Sequence, residues 1–189
     1  MTHQEILNRL KDGNQRFVHN QLEHKLQDQV RREELTSGQA PHTIVLSCAD
    51  SRVVPELAFD MGLGEIFTVR VAGNIANASS LASIEYAVAH CQSKLIVVMG
   101  HEECGAVKAA MGGGIYDYSL NHLLGQLKPA LEKAGSNAST KEVVQCNAKH
   151  NAEDMLKRSS IIRDAVENGA VKIVSADYQL SNGEVVFMD

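Results

Sequence analysis

Four short runs rich in β-branched residues leave few folds open to this chain: Thr43-Ile44-Val45-Leu46, Glu65 to Arg70, Leu95 to Gly100 and Val171 to Ala176. Thr43 to Leu46 and Leu95 to Gly100 carry no charge and show no alternation, the mark of strands buried on both faces of a parallel sheet. The connections between runs have room for crossover helices. After the turn Ser181-Asn182-Gly183, the run Glu184 to Met188 predicts a return strand, antiparallel at the sheet edge. The predicted fold is therefore α/β: a mostly parallel sheet of four parallel strands plus an antiparallel C-terminal edge strand, flanked by helices and preceded by an N-terminal helical arm. At 189 residues and 44% hydrophobic content the expectation is a single domain over residues 1–189.

Helical spacing marks the connections. Ile6, Leu7, Leu10, Phe17 and Val18 predict one or two short helices, interrupted at Asp12-Gly13-Asn14. Gln21 to Leu35 also reads as helical but is thinly apolar, so residues 1–35 are expected to form an arm that packs on a second subunit. Pro55 to Gly62 predicts a short helix with proline near its first position. Ala78 to Cys91, Gly105 to Met111 and Asn151 to Asn168 predict further helices, and 115–151 a helical stretch broken at Pro129 and at Gly135 to Thr140.

Composition narrows the function. A net charge of −5, dispersed basic residues, 4 Tyr, 4 Phe and no Trp argue against a nucleic-acid partner. No apolar run approaches the length of a membrane span and the N-terminus lacks a signal-peptide core, so a soluble, cytoplasmic protein acting on a small molecule is expected. The four cysteines are too few and too irregular for a disulfide framework, which points two of them to metal or catalytic use.

Both uncharged runs end in chemistry. The first leads into Cys48-Ala49-Asp50-Ser51-Arg52, the other into His101-Glu102-Glu103-Cys104-Gly105. Open α/β sheets carry their ligand sites at the C-terminal ends of strands, so neighbouring placement of these two runs would bring two thiolates, an imidazole and a carboxylate together. Cys48, His101 and Cys104 form a donor set suited to Zn²⁺. Asp50 either closes the tetrahedron as a fourth ligand or, held off in a fork by Arg52, leaves that position to water. With the position open, zinc lowers the pKa of its water from roughly 16 to about 7, and an ionised Asp50 can orient the resulting hydroxide. Cys91 and Cys146 have no metal-spaced partner and read as unligated thiols.

In these residues the chain resembles the β-class carbonic anhydrases over nearly its whole length. Cys48-x-Asp50-x-Arg52 paired with His101-x-x-Cys104-Gly105 is similar to that family's signature, and Leu10-x-x-Gly13-Asn14-x-x-Phe17, Arg70 to Asn74, Ser83 to Val88 and Gly169 to Ile173 are similar to family segments. The resemblance implies reversible hydration of carbon dioxide to bicarbonate, with zinc on Cys48, His101 and Cys104, and Asp50 with Arg52 as the catalytic dyad. It implies substrate contacts at Gln39, Phe67, Tyr86 and the Gly105 backbone, Gln39 acting across the interface of a homodimer or dimer of dimers. Members whose aspartate closes the zinc at rest carry tryptophan three residues before the first cysteine; Val45 stands there, which places this chain with the open-site subgroup. A carbonyl sulfide or carbon disulfide hydrolase on the same scaffold, or a non-catalytic zinc-stabilised binding protein, are the alternative readings.

Overall fold

The computed structural model describes residues 1–188. The five runs form one sheet: β1 (Thr43–Ser47), β2 (Ile66–Arg70), β3 (Leu95–His101), β4 (Lys172–Tyr178) and β5 (Val185–Met188), in the order β2-β1-β3-β4-β5. The first four are parallel and β5 pairs antiparallel to β4. Every residue of β1 and β3 is buried, as the absence of alternation predicts. From β1 the chain crosses to β2 on one side and then to β3 on the other. The direction of winding thus reverses between β1 and β3, and at their carboxyl ends this opens the crevice where such sheets bind ligands.

Two helical layers cover the faces. One face packs under α1 (His3–Val18) and α3 (Pro55–Ala58), with Ile6, Leu10, Phe59, Val45, Val97 and Met99 interlocked. The other packs under α4 (Ala78–His90), α8 (Thr140–Arg158) and α9 (Ser160–Glu167), through Ile44, Leu46, Ile84, Ile96, Met155 and Ile162. A third cluster forms beyond the strand ends, where α5 (Gly105–Gly112), α6 (Tyr118–Gly125) and α7 (Lys128–Ala134) join α8 around Cys48, Cys104, Leu127 and Val144.

The structure departs from the local reading at four places. The pair Gly13-Asn14 does not interrupt α1; both residues lie inside it, buried. Asn14 Nδ2 donates to the carbonyls of Ala58 and Gly183 while its Oδ1 accepts the amide of Val185, so a turn-like dipeptide serves as a docking point for α3 and β5. The break expected at Pro129 falls just ahead of it, at Gln126-Leu127, because Pro129 fits the first turn of α7, where its missing N–H and preset φ cost nothing. The stretch 151–168 divides at Ser159, whose side chain accepts the Ile162 amide and begins α9.

The fourth departure concerns the arm. In place of a continuous helix, Gln21 to Leu35 contains only α2 (Gln29–Glu34), because Asn20, His24 and Leu26 take left-handed backbone angles. Its first part is pinned at home: the buried Asp60 carboxylate accepts Arg16 Nε at 2.6 Å and the amides of Glu23 and His24 at 3.0 and 3.2 Å. Burial raises the Asp60 pKa, but these donors outweigh it and hold the group below the usual carboxylate range. α1 buries Ile6, Leu7 and Leu10 in this chain's own core. Among 1–35, α2 buries none of its residues.

Gly13 supplies a test of this packing. Alanine there gains about 1 kcal/mol of helix propensity, but its Cβ would stand inside the van der Waals shell of the Phe59 carbonyl. Overpacking costs roughly 1–3 kcal/mol where backbone must move, so Gly13→Ala is expected to destabilise the protein by up to about 2 kcal/mol net of that gain. A urea titration monitored by circular dichroism reads it, and a stabilised variant would disprove the close α1–α3 approach.

Candidate metal centre

Two strand ends and one helix start build the site. β1 delivers Cys48 just past its last residue, and β3 ends at His101. Glu103, at φ 59°, folds the loop back so that Cys104 becomes the N-cap of α5. The thiol sulfurs of Cys48 and Cys104 and a ring nitrogen of His101 lie within 4.8 Å of one another, and all three residues are buried. Neither Cys91 nor Cys146 belongs to this set; all four cysteines are free.

The histidine fits a metal ligand on its hydrogen bonding alone. Nδ1 lies 2.9 Å from the Glu102 carbonyl oxygen, an acceptor, so the proton of the neutral ring sits on Nδ1 and Nε2 presents a lone pair. That Nε2 is fully buried without a hydrogen-bond partner. A buried acceptor left unmatched is costly, and a cation beside it removes the cost.

The thiols are prepared unequally. Cys48 is pulled well below the ordinary thiol range, first by the hydrogen bond from Cys104 and then, against burial, by the amides of Gly73 and Asp50. Cys104 is pushed well above the ordinary thiol range, first by sharing that hydrogen bond with Cys48 and then by burial, although the Ala106 and Val107 amides at the start of α5 favour its anion. Within the pair the anion is favoured on Cys48 and the proton on Cys104. Two sulfurs and a nitrogen suit a borderline-soft divalent ion, whose binding would release the remaining proton.

Asp50 stands beside the set, outside it. Arg52 Nε and its backbone amide both donate to Oδ1 at 2.9 Å and Nη2 donates to Oδ2 at 2.7 Å. The guanidinium beside Asp50 holds its carboxyl well below the usual carboxylate range. Oδ2 is 3.9 Å from His101 Nε2, so the ionised group faces the cluster while its hydrogen bonds tie it to Arg52.

No local pattern marks a role for Arg70, which its tertiary contacts supply. From the end of β2 its Nε donates to the Cys48 carbonyl at 3.1 Å and its Nη2 to the Asp50 carbonyl at 2.7 Å. It clamps the backbone that carries both a cluster thiol and the carboxylate. Only the β1–β2 register reveals this, since Ser47 pairs with Arg70.

The four pocket residues are spread out. Gly105 opens α5 next to Cys104, and a Cβ there would meet nothing within 4 Å. Gln39 is exposed before the N-terminal end of β1, in a depression shared with Arg32, Leu35, Leu63 and Gly64. Phe67 pairs with Ile44 on the edge strand β2, four positions before Cys48 or about 13 Å along the strand. Its ring centroid is 6.3 Å from that of Tyr86, which is exposed. Within one chain these three do not gather at the cluster.

Comparison with known proteins agrees with this geometry. A family model described as carbonic anhydrase matches residues 43–185. Carbonic anhydrase 2 of Mycobacterium tuberculosis is 38% identical over 95% of this chain and 90% of its own length. The carbonic anhydrase of Mycolicibacterium smegmatis is 39% identical over 93% and 88%. Among solved structures, a tetrameric β-carbonic anhydrase of Sordaria macrospora superimposes with a TM-score of 0.75 at 26% identity, covering 83% of this chain and 85% of that one. No helix among the described residues is long and apolar enough to cross a membrane. With the three cluster residues, Asp50 and Arg52 all inside the matched span, and near full-length relatives on either side of it, the chain belongs to the β-class carbonic anhydrases.

Proposed function

We propose that the protein catalyses the reversible hydration of carbon dioxide, with Cys48, His101 and Cys104 as zinc ligands and Asp50 with Arg52 as the catalytic dyad. The observation that carries this is the Asp50 carboxylate, locked by three hydrogen bonds from Arg52 yet 3.9 Å from the unpartnered His101 Nε2. When bound, zinc supplies a Lewis-acid centre that makes water a nucleophile near neutral pH. An ionised carboxylate can only accept, so Asp50 takes a hydrogen bond from the attacking water and turns its lone pair towards the carbon. Arg52 keeps Asp50 both charged and off the metal.

A purely structural metal site has no use for a carboxylate held away from it, which sets this reading above the binding-protein alternative. The working unit in this proposal is one domain, with two core clusters on the faces of a single sheet and a third beyond its strand ends, assembled as a homodimer or dimer of dimers. The separation of Gln39, Phe67 and Tyr86 from their own cluster supports their service to a neighbouring subunit's centre, and α2, with nothing buried, has a face to offer that subunit. The tetrameric Sordaria relative supports an assembled state. Four free cysteines, two of them in the cluster, fit a reducing compartment, and the proposed location is the cytoplasm.

Stopped-flow hydration of carbon dioxide by zinc-replete protein is the test. Turnover that tracks zinc content is expected. Zinc-replete protein inert towards carbon dioxide yet active on carbonyl sulfide would move the assignment to the hydrolase reading.

A further inference from the structure

The face that α8 turns to the sheet carries Val143, Asn147, Asn151 and Met155 at a spacing of four, so two amides occupy positions where apolar residues cost least. Asn147 has no exposed surface and Asn151 only 5%. Their hydrogen bonds go to one place. Asn151 Nδ2 donates to the carbonyl and to Oδ1 of Asn147, at 2.8 and 2.9 Å, and Asn147 Nδ2 donates to the Gly73 carbonyl at 2.8 Å. Asn147 Nδ2 also reaches Asn74 Oδ1 at 3.3 Å, and Asn151 Oδ1 accepts the Ala76 amide at 2.7 Å.

The loop they grip has an uncommon backbone. Gly73 and Asn74 are successive residues in the left-handed region, at φ 72° and 42°, the two residue types that enter it most readily. Its product is one directed donor: the Gly73 amide points at Cys48 Sγ, 3.4 Å away. The Gly73 carbonyl on the other side of the same residue is the atom that Asn147 holds, so a shift of the asparagine pair turns the donor away from the sulfur.

We infer that Asn147 and Asn151 are positioning residues for the metal centre, holding the 73–76 loop so that the Gly73 amide hydrogen-bonds the Cys48 thiolate. This rests on the proposed assignment of Cys48 as a zinc ligand and extends it to a part of the chain that contains no ligand. Hydrogen bonds to a ligating atom orient it and tune its donor strength, and losing such support typically lowers metal affinity 10–100-fold.

The test adds cobalt(II) to metal-free wild type, Asn147→Leu, Asn151→Ala and Leu10→Ala, and measures zinc transfer from each zinc-loaded protein to a chelator. Leu10→Ala opens a cavity in the core on the opposite face, with no connection to the loop, and so controls for destabilisation alone. In both asparagine variants the thiolate-to-cobalt absorption band is expected at lower energy, because a sulfur without its hydrogen bond gives up charge more readily. Zinc release is expected to be about 10–100-fold faster, with both properties as in wild type for Leu10→Ala. If Asn147→Leu does not fold, Asn151→Ala provides the same comparison, since it leaves Asn147 in place but unheld. An unchanged band and release rate in the folded asparagine variants overturn the inference, as does an equal change in Leu10→Ala. Wild type that takes up cobalt but leaves carbon dioxide unhydrated defeats the proposed reaction and leaves this comparison intact.

Discussion

Cys48→Ala is expected to abolish stoichiometric metal binding and, with it, at least about 1,000-fold of the carbon dioxide hydration rate. Zinc sites of a few protein ligands hold their ion with roughly 10–16 kcal/mol, so removing one of three ligands removes several kcal/mol and at least about 100-fold in affinity. The fold should survive. Cys48 stands past the last residue of β1, and the interlocked faces of the sheet do not include it. Truncating a side chain of this size leaves a small cavity worth about 1 kcal/mol. Elemental analysis beside a thermal melt separates the outcomes: low metal with a near wild-type melt is expected, and a variant that keeps one ion per chain would remove Cys48 from the centre. The same experiment on Cys91 should leave metal content unchanged, because that residue ends α4, where its backbone amide caps the helix, and lies outside the cluster.

Asp50→Ala should act differently, leaving the metal in place while lowering turnover by about 100- to 1,000-fold. Orientation of a reactant by a positioned group is worth about this much, and Asp50 is outside the set of mutually close donors, so its loss removes no ligand. Asp50→Asn sharpens the result. The amide keeps the shape and one oxygen for Arg52, but presents a donor where the dyad needs an acceptor. Turnover in Asp50→Asn is therefore expected to fall nearly as far as in Asp50→Ala, with normal zinc content. Near wild-type turnover in Asp50→Asn would show that ionisation of this carboxylate is not what orients the nucleophile.

The Asp50–Arg52 fork begins two residues after a cluster thiol. Asp50 and Arg52 lie in the turn that leaves β1, where the Arg52 amide bonds back to the carboxylate two residues earlier, so local geometry sets much of the fork. Arg70 then holds the backbone of that turn from the neighbouring strand. A local motif thus provides the chemistry, and a strand pairing makes it rigid.

Much of this was legible in the residues themselves. The uncharged runs of β1 and β3 could only be buried strands, and their ends already carried thiol, imidazole, carboxylate and guanidinium. Hydrophobic patterning and ligand chemistry act over a few residues, so they can be read from a window of sequence. Asp50's choice between metal and Arg52 was not legible, because ligand counting gives the same answer for both.

What only the tertiary structure decided shares one physical cause: the deciding partner lies far along the chain. Gly13-Asn14 has the local chemistry of a helix breaker, but the carbonyls of Ala58 and Gly183 and the amide of Val185 make it the best-anchored point of α1. Residues 21–35 have the spacing of a helix, yet Asp60 captures the amides of Glu23 and His24 and ties that segment to its own chain. Asn147 and Asn151 are unremarkable polar residues in a helix until β1, the 73–76 loop and α8 meet. Buried polar groups must find partners wherever the fold supplies them, and which partners those are is settled by the packing of distant elements, beyond the reach of local pattern.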